Sequence, residues 1–194
     1  DEHSLANNYV RCVFESSKKE CFVGTLSGLQ HYSADADRFT DIPLILQDGI
    51  IVEPNVAAIE ELSNGDLLVG TAGQGLFKIT NTHKGLVGIS MEKRIPIPIV
   101  NALHEDRNGN LWISAGENGI FRIDRNQQLH CYQKGANESE YTISSICETP
   151  DKQIYIGSLG KGLLKYNPTL DLFEPIIYAN HPELPVKSLL LATP

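Results

Sequence analysis

The sequence predicts an all-β chain made of four-stranded β-propeller blades, and three observations predict it. An apolar-x-x-apolar pattern recurs five times, four of these starts are followed at fixed distance by an apolar pair and a small residue, and Gly, Asn, Asp or Pro interrupts the chain every five to seven residues. The starts stand at Val10-Val13, Val56-Ile59, Val100-Leu103, Ile143-Ile146 and Val186-Leu189, at offsets of 46, 44, 43 and 43 residues. A period of this length filled by short strands is a propeller blade, because a helical repeat needs about 10 to 15 uninterrupted residues of 3.6-residue periodicity.

The third copy shows how one unit is built. Residues 100–105 are a short apolar-rich run, Asn108-Gly109 supplies the positive dihedrals of a tight turn, and Leu111-Trp112-Ile113 is β-prone, so the two runs form a hairpin. A loop with Gly116, Asn118 and Gly119 leads to a third strand, Ile120-Phe121-Arg122-Ile123. A weaker fourth strand lies near residues 129–132, with counterparts around 38–40 and 172–174; Tyr32 to Phe39 and Tyr166 to Phe173 share one spacing. The second strands end in Val23-Gly24-Thr25, Val69-Gly70-Thr71, Ile113-Ser114-Ala115 and Ile156-Gly157-Ser158. Glycine there permits close backbone approach, and Ser114 marks the position as one for small residues.

The chain thus divides into blades at about residues 8–50, 54–96, 99–138 and 141–180, with the first strand of a fifth at 185–194, all in one propeller segment, 1–194. Each blade has two apolar faces that neighbours must cover, so four blades and a stub imply a fragment of a larger, seven-bladed-type propeller; a closed four-bladed ring is the alternative.

Composition removes several function classes. The 194 residues carry 24 acidic and 16 basic side chains, a net charge of −8, and no basic run longer than Lys18-Lys19. A nucleic-acid partner is therefore not expected. No stretch reaches the ~18 to 20 apolar residues of a membrane helix, and residues 1–6 lack a signal pattern, so the expectation is a soluble chain attached to a membrane only through other parts of its parent protein. Cys12, Cys21, Cys131 and Cys147 have no metal-ligand spacing, and Cys12 and Cys21, in one hairpin but not directly opposed across it, are expected as reduced, largely buried thiols.

The motif Glu105-Asp106-Arg107-Asn108-Gly109-Asn110-Leu111-Trp112-Ile113 resembles the two-component regulator propeller repeat. The second copy, Leu62-Ser63-Asn64-Gly65-Asp66-Leu67-Leu68-Val69-Gly70-Thr71, is similar to it in part, and the first and fourth copies keep mainly the strand and glycine positions. The resemblance implies the periplasmic or extracellular sensor region of a bacterial receptor, often a hybrid histidine kinase that responds to glycan fragments. It implies an oligosaccharide ligand and a neighbouring propeller or homodimer partner, with kinase and membrane helix in other parts of the protein: this segment senses but does not phosphorylate. Two other classes are a protein-binding scaffold, whose WD-type Gly-His and Trp-Asp dipeptides are missing here, and a carbohydrate-active propeller enzyme.

Glu15, Glu61, Glu105 and Glu148 recur at one position; they are read as hydrogen-bond acceptors at the end of the first strand rather than as a cation-binding ring. Asp106-Arg107-Asn108-Gly109-Asn110 is read as a hairpin turn rather than a calcium loop. The histidines share no repeat position and no nucleophile elbow exists, so no catalytic residue, metal ligand or cofactor is assigned. Trp112, Phe121, Phe22, Tyr155 and Phe77 occupy strand positions that suit blade-to-blade packing better than a sugar platform. The ligand-binding candidates are Gln74, Glu117, Asn118 and Lys161, in loops after second strands, because these positions differ between copies as specificity residues on a regular scaffold would.

Overall fold

Hairpin after hairpin builds the described chain, and the first turn of each blade is closed the same way. The computed structural model describes residues 4–132 and 142–177 together with Val186 and Leu189. These fall into two compact units, Asp1–Val100 and Asn101–Pro194.

The first unit holds two sheets. One is the meander β1 (Val10–Glu15), β2 (Cys21–Thr25), β3 (Gly28–Ser33) and β4 (Arg38–Ile42). The other contains β5 (Leu44–Ile45), β6 (Ile51–Val52), β7 (Val56–Glu61), β8 (Leu67–Thr71), β9 (Leu76–Thr82) and β10 (Gly85–Ser90) in the order β6-β5-β10-β9-β8-β7. The second unit holds the meanders β11 (Ala102–Glu105), β12 (Leu111–Ser114), β13 (Ile120–Ile123), β14 (Leu129–Tyr132), and β15 (Ile143–Glu148), β16 (Ile154–Ser158), β17 (Gly162–Asn167), β18 (Leu172–Pro175). The architecture is all-β, in propeller blades.

The first hairpin turn of every blade closes with the same pair of backbone bonds: Gly109 N to Asp106 O at 2.8 Å and Asp106 N to Asn110 O at 2.9 Å in the third, with equivalents at Ser16, Leu62 and Thr149. This turn requires one residue in the left-handed region. Gly65 and Gly109 supply it at φ 83° and 74°, whereas Lys19 and Lys152 occupy it at φ 65° in the first and fourth blades.

Between blades the glycine at the end of the second strand has a steric purpose. A Cβ on Gly24 would stand 2.5 Å from Val56 Cγ1, one on Gly157 would stand 2.8 Å from Val186 Cγ1, and one on Gly70 would collide with Val100 Cγ1. The valine that opens each following copy thus sits in the space where a side chain would be. In the third blade Ser114 fills that space and its Oγ donates instead to Ile143 O at 3.0 Å.

One segment departs from the sequence expectation. By the repeat spacing residues 44–50 belong to the first blade, but β5 pairs in parallel with β10, Gly88 opposite Leu44, and so extends the second sheet. The cause is local volume: Leu44 is fully buried where a Cβ on Gly88 would collide with it, and Gly88 N donates to Pro43 O at 2.8 Å. Of the expected fifth-blade strand at 185–194, only Val186 and Leu189 lie within the described residues, as residues 133–138 of the third blade and 178–180 of the fourth lie outside them. Val186 N donates to Ser158 O at 3.0 Å, the bond that Val100 N makes to Thr71 O at 2.8 Å.

Candidate functional site

The loop between β8 and β9 is held rigidly from beneath. Thr71 Oγ1 donates to Gly75 O at 2.8 Å and accepts from Gln74 N at 3.1 Å, closing the loop on itself. Gly73 N and Gly75 N both donate to Pro98 O, at 3.0 and 2.8 Å, which ties the loop to the segment after β10. Gly75 adopts φ +73°, and a Cβ there would lie 2.7 Å from Ile97 O, so glycine is required on both conformational and steric grounds. On the other side Met91 O accepts from Arg94 N and Ile95 N at 2.8 Å, forming the turn that carries Glu92.

These segments enclose a groove of about 460 Å³ lined by Leu46, Gly73, Gln74, Gly75, Glu92, Pro96, Ile97 and Pro98. Its aliphatic and prolyl surfaces offer contact to carbon-bound hydrogens. The Gln74 amide supplies a donor and an acceptor, and the Glu92 carboxylate supplies acceptors only. That set suits a neutral polyhydroxylated ligand and repels an anionic one. Gln74 is legible in the sequence as a variable loop residue; Glu92, Leu46, Pro96 and Pro98 carry no repeat signal, because they lie in connections between copies. The doubled proline of Pro96-Ile97-Pro98 is the signal that could have drawn attention to them.

The other candidates belong to the second unit. Glu117 and Asn118 lie in a single 3₁₀ turn, Gly116–Asn118, where Asn118 is exposed and its N–H donates to Ala115 O at 3.1 Å. Lys161 occupies the equivalent β16–β17 loop, its N–H donating to Ser158 Oγ at 3.2 Å. These loops therefore share a position in the repeat with Gln74, whose own loop lines the groove.

Two of the four recurrent glutamates, Glu61 and Glu148, act between blades. Glu61 accepts from Ser17 N at 2.6 Å and Ser17 Oγ at 2.7 Å, and these bonds hold its carboxyl below the usual range. Glu148, buried, accepts from Arg107 N at 3.1 and 3.2 Å. Each carboxylate thus caps the first turn of the preceding blade, one repeat away, rather than its own strand end as the sequence suggested. Glu15 pairs with Lys19 at 2.8 Å. Among the described residues no group of three or more His, Cys, Asp and Glu side chains is arranged to hold a metal ion.

Asp106 is the buried centre of its turn. Its Oδ1 accepts from Asn108 N and Asn110 N, both at 2.9 Å, and its Oδ2 accepts from Trp112 Nε1 at 2.8 Å. Trp112, Phe22 and Phe77 are buried, which excludes them as a sugar platform, while Phe121 and Tyr155 are half-buried. Trp112 packs with Tyr132, Tyr166 and Phe173 at centroid distances of 5.8, 4.8 and 5.7 Å. Arg122 lies over the rings of Trp112, Tyr132 and Tyr166 at 5.5, 5.6 and 5.6 Å. The four cysteines are free; Cys12 and Cys21 are half-buried, with the Cys12 thiol pushed up to about 11 by burial, and Cys131 is exposed on the fourth strand.

Residues 95–117 match the two component regulator propeller family, over the stretch where the third copy carries the motif. No curated protein matches the chain. Among solved structures, the extracellular domain of a one component system from Bacteroides thetaiotaomicron is similar at TM-score 0.75 and 18% identity, over 91% of this chain and 25% of that one. Virginiamycin B lyase from Staphylococcus aureus, in a catalytically inactive form with quinupristin, is similar at TM-score 0.61 and 16% identity, over 92% of this chain and 60% of the lyase. PorZ, a surface component of the type-IX secretion system of Porphyromonas gingivalis, reaches TM-score 0.61 at 12% identity over 89% of this chain and 28% of its own length. At these identities the likeness is one of fold, and the chain spans a quarter of the Bacteroides domain.

Proposed function

From the two component regulator propeller repeat at residues 95–117, we propose that the chain is a non-enzymatic sensing segment of a bacterial two-component receptor, and that its groove takes a neutral oligosaccharide. The observation that carries the ligand reading is the position of Gln74. It is a residue that varies between copies, and it lines a groove whose walls are pinned by Gly73, Gly75 and Pro98. A rigid groove loses little entropy on binding, which suits a sensor of small fragments. The segment works on the periplasmic or extracellular side of the membrane. Occupancy of the groove is passed to a histidine kinase in other parts of the parent protein, through a neighbouring propeller or a homodimer partner.

The apolar floor of Leu46, Pro96 and Pro98 receives the CH face of a sugar, and Gln74 and Glu92 bond its hydroxyls. Glu92 disfavours uronic-acid and sulfated glycans by like-charge repulsion. Calorimetric titration of the chain with neutral, uronic and sulfated oligosaccharides tests this. Neutral fragments bind, and Gln74→Ala and Glu92→Ala each weaken them about tenfold, the worth of one hydrogen bond to a sugar hydroxyl. Binding confined to anionic fragments, or no glycan binding at all, overturns the ligand assignment.

A further inference from the structure

The two units fill the outer part of their seams with side chains of different size. In the second unit four rings meet there: Trp112 packs with Tyr132, Tyr166 and Phe173, and Tyr132 and Phe173 lie 5.5 Å apart. In the first unit the strand pairings put Phe22, Ile42, Ile79 and Gly88 at these four positions: Phe173 pairs with Tyr166 as Gly88 pairs with Ile79, and Tyr132 pairs with Ile120 as Ile42 pairs with Leu29. Three rings are thus exchanged for two isoleucines and a glycine. Leu44 takes part of the vacated volume, since a Cβ on Gly88 would collide with it. What remains is a cavity of about 190 Å³ with a floor of Phe22, Leu67, Ile79 and Leu86, the first three buried.

The rims differ as well. In the second unit the Asn110 amide is tied to Asp106, at 2.8 and 3.1 Å. Glu20 stands at that position in the first unit, and Ser16 stands in place of Asp106. Glu20 and Lys18 both line the cavity, and neither side chain has a hydrogen-bond or ion-pair partner among the described residues. Glu61, a second carboxylate at the cavity, is already taken by Ser17 N and Oγ. One cation and one anion are therefore available over an apolar floor.

These features select a ligand. A cavity of about 150 Å³ admits benzene, so this one takes a single ring on a short stem. Phe22 offers that ring an aromatic partner, in a place where the second unit puts rings of its own. A sugar would set hydroxyls against a floor that cannot bond them. The charges at the rim suit a zwitterion, with a carboxylate for Lys18 and an ammonium for Glu20. We propose that the cavity binds a free α-amino acid with a single aromatic ring. The site is separate from the groove: Leu67, at the start of β8, lines the cavity, whereas the groove is lined by the loop that follows Thr71 at the end of the strand.

Heteronuclear NMR titration of the chain tests the assignment, with L-phenylalanine as the probe. L-Phenylalanine shifts the amide signals of Phe22, Leu67 and Ile79 saturably. It binds at least about tenfold more tightly than hydrocinnamate, which lacks the ammonium, and phenethylamine, which lacks the carboxylate. Lys18→Met abolishes the advantage over phenethylamine, and Glu20→Gln abolishes the advantage over hydrocinnamate. Ile79→Tyr returns the ring that Tyr166 supplies in the second unit, fills the cavity and eliminates binding. Should that ring disturb folding, the two rim substitutions, both at accessible side chains, still decide the matter. No saturable shift at the three floor residues, shifts confined to Gln74 and Gly75, equal affinities for the three compounds, or rim variants that bind as the unaltered chain does each overturn the proposal. None of these readouts depends on a glycan, so failure here is distinct from failure of the groove.

Discussion

The two units close the seam between their blades by different chemistry. In Asp1–Val100 the seam is one of shape: Val56 occupies the space over Gly24, and Phe22, Val69 and Phe77 pack as an aliphatic and phenyl core. In Asn101–Pro194 Ser114 replaces the glycine, and the seam continues outward as a polar and aromatic tie between third and fourth strands. Arg122 Nη1 donates to Tyr166 Oη at 2.5 Å, and Tyr132 and Tyr166 both donate to Asp171 Oδ1, at 2.7 and 2.5 Å. The repeat therefore fixes backbone register while leaving the seam's chemistry free. A seam of shape fails on added volume; a seam of charge fails on lost charge.

The sharpest way to break this contrast is to change the small residue of each seam. Gly24→Leu forces a side chain onto Val56 and destabilises the protein by about 3 kcal/mol, the upper end of core overpacking. Ser114→Gly removes only one hydroxyl bond and costs about 1 kcal/mol. Urea unfolding of both variants checks the ratio; equal losses would mean that the glycine space is not what closes the first seam.

The second test removes charge. Arg122→Met keeps the apolar stem but loses the cation over three rings and its bond to Tyr166, a loss of about 2 kcal/mol. Acid acts on the same tie. The phenol bonds, Tyr132 first and then Tyr166, hold the Asp171 carboxyl below its ordinary value of 3.8. A carboxylate depressed in the folded state contributes stability that is complete above the unfolded value and disappears as pH falls through the folded one. Asp171→Asn therefore flattens the acid limb of the stability curve below about pH 4. Glu61, also held low, keeps a limb in the first unit, so the flattening is partial. An unchanged acid limb in the variant would show that the tie carries no stability.

How much of this was legible in the sequence depends on whether a contact obeys the period. The blades, their strand order and the close approach at Gly24, Gly70 and Gly157 follow from the repeat, because the same residues meet the same neighbours in each copy. The interblade bonds of Glu61 and Glu148 span 44 and 41 residues, about one period, but the sequence pointed only to acceptors at the end of the first strand and not to donors one blade away. The β5–β6 addition was hidden because it depends on Leu44 meeting Gly88, a pairing that occurs in the second sheet and in no other described sheet. The groove was half legible for a similar reason. Gln74 stands in a repeating loop, whereas Glu92 stands in a connection with no counterpart to compare.

The smallest effect concerns the turns, where the first and fourth blades differ from the second and third. Asn64-Gly65 and Asn108-Gly109 were recognisable turn pairs, while Lys19 and Lys152 adopt the same left-handed backbone with a Cβ that opposes it. Lys152 makes the cleaner comparison, because Lys19 is bonded to Glu15. Lys152→Gly relieves the backbone penalty, roughly 1 kcal/mol for a left-handed L-residue, and gives back part of it through the greater freedom of glycine in the unfolded chain. The expected net gain is about 0.5 kcal/mol. The reverse change, Gly109→Lys, meets both the backbone penalty and the Arg125 side chain, whose Nε would lie 3.0 Å from the added Cβ, so it loses more than Lys152→Gly gains. If thermal unfolding finds the two changes equal and opposite, the turn dihedral alone sets the preference; a larger loss at Gly109 assigns the remainder to Arg125.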